Sequence, residues 1–190
     1  MTRASSKQAT EEIASGSGAG ESLVSTNPIM SPPERTPSTM NQRLVNQLCF
    51  QLGIREADVL LPGKGQFADM APPGFVTVNR HMCLHGAIPP FNSFLGTFLR
   101  QLSIAPSQLH PNGYAILLGL CVLFERTLHR QPSFEEICFL CQFGKSKEHP
   151  SIMYVRSARN RRLIMDLPDT AHGFLSQYFY VRCPAGFYAI

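Results

Sequence analysis

Tryptophan is absent from the 190 residues, only 16% are charged, and aspartate is scarce. The acidic residues bear on catalysis. Asp58 and Asp69 stand apart, and Asp166 and Asp169 flank Pro168, so no pair offers a general acid beside its base. The chain has no Gly-x-Ser-x-Gly elbow for a serine nucleophile. Long hydrophobic runs are missing too. The longest, Tyr114–Phe124, has 11 residues and stops at Glu125 and Arg126, whereas a membrane helix needs ~20. It reads as a buried core helix. The first twenty residues carry only isolated Ile13 among small and polar side chains, unlike the apolar stretch of a secretory leader. The expectation is therefore an intracellular protein, not an enzyme, with no membrane, cofactor or small-molecule substrate. Lys145-Ser-Lys147 and Arg161-Arg162 are too short for an import signal and leave nucleus and cytoplasm equally open.

What is present is unevenly spread. Residues 1–39 are rich in Ser, Thr, Gly and Pro and poor in large apolar side chains. Such a stretch buries too little surface to offset the entropy of ordering it, so it is expected to be a disordered tail. A single domain is expected over 40–190. Its last residues, Pro184–Ile190, have no closing element and read as part of a longer polypeptide.

Within the domain, Leu44, Leu48 and Leu52 mark one face of a helix that Gly53 would end. Ala57–Leu61 reads as a turn, and Phe75–Val78 as a short strand. Phe91, Phe94, Leu95, Phe98, Leu99 and Leu102 share one helical face behind Pro89-Pro90. Residues 105–111 form a connector with one turn, and Pro111 opens a helix to about His129. Gly119 inside that helix costs roughly 1 kcal/mol relative to Ala, which a close helix crossing would explain. Ser133 and Glu136 form a capping-box pattern ahead of a third helix, which Gly144 would end. Three strands are then expected: Ile152–Val155, Leu163–Leu167 and Tyr178–Val181. The class is α+β, with three or four packed helices followed by a small antiparallel element.

Several motifs fall short of their chemistry. Cys138-x-x-Cys141 could join His81, Cys83 and His85 at zinc, but both cysteines lie on an apolar helical face where thiols simply pack. His81-x-x-x-His85 has helical metal spacing, yet Met82 stands where a hydrolytic base would be. Pro62-Gly-Lys-Gly65 lacks the Ser or Thr after lysine, and Asp58 replaces the first glycine of a phosphate loop. No metal is expected, and the six cysteines are expected to be reduced thiols.

The charge is concentrated. Lys145, Lys147, Arg156, Arg159, Arg161 and Arg162 face one acid, Glu148, so this window carries +5 of a chain total of +4. The four arginines fall in a proposed hairpin turn, with Tyr154 on the strand before it. Arginines for phosphates and an aromatic for stacking would suit RNA or single-stranded DNA. A solvated turn with ordinary surface charge, or an acidic protein partner, fits the same residues.

The order of features from Pro72 onward resembles the gypsy-type transposon domain of plants. The similar segments are Pro72-Pro-Gly-Phe-Val-Thr77, Ile88-Pro-Pro-Phe91 and Gln108-Leu-His-Pro-Asn112 with Ile116-Leu-Leu-Gly-Leu120. Pro132-Ser-Phe-Glu135, Phe139–Phe143 and Gly173-Phe-Leu-Ser-Gln-Tyr-Phe-Tyr-Val181 continue the pattern. The resemblance spans roughly residues 58–186. No single motif is specific; their order and spacing are. The family's tryptophans are replaced, with Phe174 at one position and Ser151-Ile-Met-Tyr154 at another. The resemblance implies a retroelement-derived plant protein, and it brings no catalytic residues with it. The expected function is a non-enzymatic interaction module whose basic hairpin meets nucleic acid. Self-association, alone or with another retroelement protein, and a decayed copy without function are the alternatives.

Overall fold

The computed structural model describes residues 35–167 and 172–183. Five α-helices and five strands run in the order α1 (Gln42–Leu52), β1 (Val59–Leu60), β2 (Phe75–Asn79), α2 (Arg80–Leu84), α3 (Ser93–Leu102), α4 (Pro111–Leu128), α5 (Phe134–Leu140), β3 (Cys141–Lys145), β4 (Met153–Ser157) and β5 (Tyr178–Arg182) among these residues. The α+β class holds. Two strands precede α3–α5, however, and pair with the last one. The three-stranded antiparallel sheet has the order β1-β5-β2, with Val76 opposite Val181 and Val78 opposite Phe179. A separate antiparallel hairpin joins β3 to β4.

Helix starts are set by short polar side chains. Asn41, Asn79 and Asn92 each accept the amide three residues on, from Leu44 (3.0 Å), Met82 (2.7 Å) and Leu95 (2.8 Å). The expected capping box on α5 is formed: Ser133 Oγ accepts the Glu136 amide (3.2 Å), and Glu136 Oε2 accepts the Ser133 amide (2.8 Å). Gly53 ends α1 in the left-handed region (φ 69°), as its position predicts.

The core lies between α3, α4 and the sheet. Phe94, Leu95, Phe98 and Leu99 of α3 are buried, as are Tyr114, Ile116, Leu117, Leu120 and Cys121 of α4. Phe98 ties three elements together, with ring centroids 5.3 Å from Phe134 and 5.8 Å from Phe143. Strand β5 is buried on both faces. Phe179 and Val181 join the main core. On the opposite face the Tyr180 hydroxyl donates to the Phe67 carbonyl (2.7 Å). The Tyr178 hydroxyl donates to the Thr36 carbonyl (3.0 Å), with the Gln66 carbonyl at 3.2 Å. Burial pushes the Tyr178 phenol up to about 12.

Four expectations need correction. Ordered structure begins before residue 40: the Thr39 amide donates to the Ser176 carbonyl (2.7 Å) and Ser38 Oγ to the Tyr178 carbonyl (2.5 Å). Residues 1–34 of the expected tail lie outside the described residues, as do residues 168–171 and 184–190. Helix α5 stops at Leu140, and Gly144 sits inside β3. The segment 163–167 forms no strand. The stretch 156–162 is therefore no hairpin turn; the real turn is 146–152, closed by the Ser146 amide on the Ile152 carbonyl (2.8 Å).

The segment 163–167 has another task. A Cβ on Gly119 would come within 2.9 Å of Ile164 Cδ1 and 3.2 Å of its Cγ1. The helix crossing expected at Gly119 is thus replaced by a close approach of this strap.

Candidate nucleic-acid interface

Alternation along the hairpin decides which side chains face out. Met153 and Val155 of β4 are buried, and Val155 Cγ2 packs where a Cβ on Gly113 of α4 would sit, at 3.3 Å. Tyr154 and Arg156 therefore point away from α4. Register places Gly144 opposite Tyr154 and Gln142 opposite Arg156. Gln142 and Arg156 are exposed.

Tyr154 lies on Gly144. A Cβ there would meet its hydroxyl oxygen at 2.8 Å and its Cζ at 2.9 Å, so glycine is what lets the ring lie against the strand. The Arg156 guanidinium carbon is 5.6 Å from the same ring centroid, within cation–π range.

Beyond Ser157 the chain stays docked through the Ala158 amide on the Leu140 carbonyl (2.8 Å). It turns at Arg159-Asn160, with the Arg161 amide on the Ala158 carbonyl (3.0 Å) and Asn160 left-handed at φ 60°. Asparagine tolerates that region better than most residues. Arg161 then folds onto α5. Its guanidinium carbon lies 3.7 Å from the Phe139 ring centroid, and Nη1 donates to the Phe139 carbonyl (2.7 Å). Phe139 nevertheless keeps 60% of its surface exposed. Arg162 donates to the Ile164 carbonyl (3.4 Å), and Arg159 is exposed at the turn.

The predicted site is thus only partly assembled. Tyr154, Arg156, Arg159, Arg161 and Arg162 follow one another along β4 and the turn after it. Lys145 pairs with Met153 at the opposite end of the ladder, and Lys147 lies in the 146–152 turn beyond it. Four residue steps separate Met153 from Ser157, about 13 Å. Phe139 and Gln142 belong to the surface but were not singled out by sequence. Phe139 appears in the sequence only within the run 139–143, and nothing local marks it as a contact for Arg161.

The adjoining surface is acidic and apolar. A shallow depression of about 410 Å³ is lined by Phe124, Glu135, Glu136, Phe139 and Leu140. Arg130 forms a bidentate pair with Glu136 (2.6 and 2.7 Å) and holds that carboxyl down to about 2. Val122, Leu163 and Met165 are exposed close to the Gly119–Ile164 contact.

The cysteines and histidines of the other motifs are placed as follows. Cys138 is exposed and Cys141 is buried in β3, so the two do not share a packed helical face, contrary to expectation. Burial pushes the Cys141 thiol up to about 11, and Cys83 up to about 12, which keeps both protonated. His85 Nδ1 donates to the His81 carbonyl (2.6 Å). Burial first, then the nearby Arg80 and His85, holds His81 below the ordinary histidine range. Among the described residues no group of three His, Cys, Asp or Glu could hold a metal ion, and no helix is long and apolar enough to cross a membrane. Comparison with known proteins gave no family, curated protein or solved structure that matches the chain.

Proposed function

We propose that this domain is a non-enzymatic interaction module that contacts RNA or single-stranded DNA through the outward side of the β3–β4 hairpin and the turn after it. The supporting observation is the run Tyr154, Arg156, Arg159, Arg161 and Arg162 along one strand and its exit, exposed or half-buried, with no acidic residue among them. Phosphate contact releases condensed counterions, so binding to single strands falls with log-log slope ~0.7 per phosphate neutralised. The resemblance to the plant gypsy-type transposon domain gives the module its proposed setting in a retroelement-derived protein. Anisotropy with single-stranded RNA at low and moderate salt tests the reading. Replacing Arg156, Arg159, Arg161 and Arg162 by Gln should weaken binding and lower the salt slope by up to ~3. Unchanged binding by that variant would remove the arginines from the account.

A second reading has its own observation. Val122, Leu163 and Met165 expose apolar surface around the strap on α4, and a second copy of the chain would cover it. Sedimentation showing a dimer that Met165→Glu dissolves would favour self-association.

A further inference from the structure

We propose that bases of a single strand stack on two ready-made arginine–aromatic platforms, Phe139 with Arg161 and Tyr154 with Arg156. The inference rests on the nucleic-acid reading above and names how that site would hold its ligand. Three features carry it.

Arg161 is fixed over Phe139 by two contacts to the same residue, the ring at 3.7 Å and the carbonyl at 2.7 Å. Ordering a long side chain adds to the cost of binding, and here that part is met within the folded domain. The pair still leaves Phe139 60% exposed, so part of its ring is open to a ligand. A flat, partly open aromatic capped by a guanidinium offers two planar surfaces on which a base can stack.

Tyr154 shows the same construction by another route. Its ring rests on Gly144 at a separation that any β-carbon would forbid. With Arg156 beside it, the ring is held against the sheet, as a stacking surface would be. Strand β3 thus gives up a side chain at the one position where the ring needs room.

The spacing suits a short strand. The ladder from Tyr154 to the Ala158–Leu140 hydrogen bond, next to Phe139, spans four residue steps. That is about 13 Å, a distance that a short extended single strand spans. Gln142 is exposed between the two platforms and offers an amide to a base edge. Arg156, Arg159, Arg161 and Arg162 supply positive charge to the phosphates, while Glu135 and the Arg130-paired Glu136 line the depression beside Phe139. In a duplex the base faces are already stacked on one another, so the platforms favour single strands.

The test uses the full chain and a ten-nucleotide RNA, with a ten-base-pair duplex for comparison. Phe139→Ala should weaken single-strand binding about five- to a hundredfold, the range for loss of one stacked base, without changing the salt slope. Phe139→Leu keeps the apolar bulk and should lose nearly as much, which separates stacking from packing. Gly144→Ala should weaken binding by lifting Tyr154 from the strand, again at constant slope. If wild type binds RNA and all three variants bind as well as it does, the arginines act as charges alone and the stacking inference fails. Equal affinity for the duplex would overturn it too. If wild type does not bind at all, the nucleic-acid reading itself fails.

Discussion

The β1-β5-β2 sheet and the β3–β4 hairpin are both small antiparallel units, and each has an arginine beside an aromatic ring, Arg182 with Phe75 and Arg156 with Tyr154, yet strands β5 and β4 place their tyrosines in opposite ways. In β5 the tyrosines are sealed. Tyr178 and Tyr180 are each 1% exposed, and their hydroxyls are satisfied by loop carbonyls. In the hairpin, Tyr154 lies on the outward face beside an arginine, and Phe139 just before β3 is mostly exposed under another. Aromatic residues in the first region hold the fold together. In the second, Phe143 packs against Phe98 in the core, whereas Tyr154 and Phe139 lie on the outer side and remain available. Charge follows the same division, because the window 145–162 contains the whole positive excess of the chain.

The comparison can be broken most strongly at β5. Phe179→Ala removes a ring with no exposed surface from the core and should cost ~3–5 kcal/mol, read from the urea midpoint. Phe139→Ala should cost under ~0.5 kcal/mol by the same measurement. If the two losses were equal, the division between structural and available aromatics would not hold. Ser133→Ala lies between them. It removes a formed N-cap from α5, which carries Phe139, and should cost ~1 kcal/mol.

A pH contrast sharpens the same boundary. His110 is held below its ordinary value, by burial first and then by His85 and His81, and its Nδ1 accepts the Asn112 amide (3.2 Å). His81 is lowered as well. The unfolded chain therefore takes up protons before the folded one does. Stability from these groups is complete above about pH 6.5 and is lost as pH falls through their lowered folded values. The urea midpoint should drop between about pH 7.5 and 5.5, and His110→Gln should flatten that dependence. An unchanged midpoint in wild type would show that the two histidines are not held neutral by the fold.

Much of the fold was legible because its signals are local. The 3.6 periodicity of α3, the proline opening α4, the capping box and the aromatic run of β5 each declare themselves within a few residues. The errors came where local and tertiary signals compete. Cys141–Lys145 continues the apolar pattern of α5, and only pairing with β4 makes it a strand. Leu163–Leu167 has strand composition, but no strand among the described residues pairs with it, and Ile164 is taken up by Gly119. Misplacing β3 also displaced the expected hairpin, so the arginines were read as its turn. They in fact trail from its far end. Within the candidate site, the basic residues and Tyr154 were visible from composition. Phe139 was not, since its place in the site comes from the contact with Arg161, 22 residues on. Gly144 was noticed as a glycine but for another purpose, since its role requires the register with Tyr154.

The most direct test of the central claim is anisotropy of single-stranded RNA binding by the wild-type chain across a salt series, beside the variant with Arg156, Arg159, Arg161 and Arg162 replaced by Gln. The account predicts binding at low salt that falls steeply as salt rises, and a variant that stays folded with a shallower slope and weaker affinity. No binding by wild type at low salt, or identical curves for the two proteins, would contradict it.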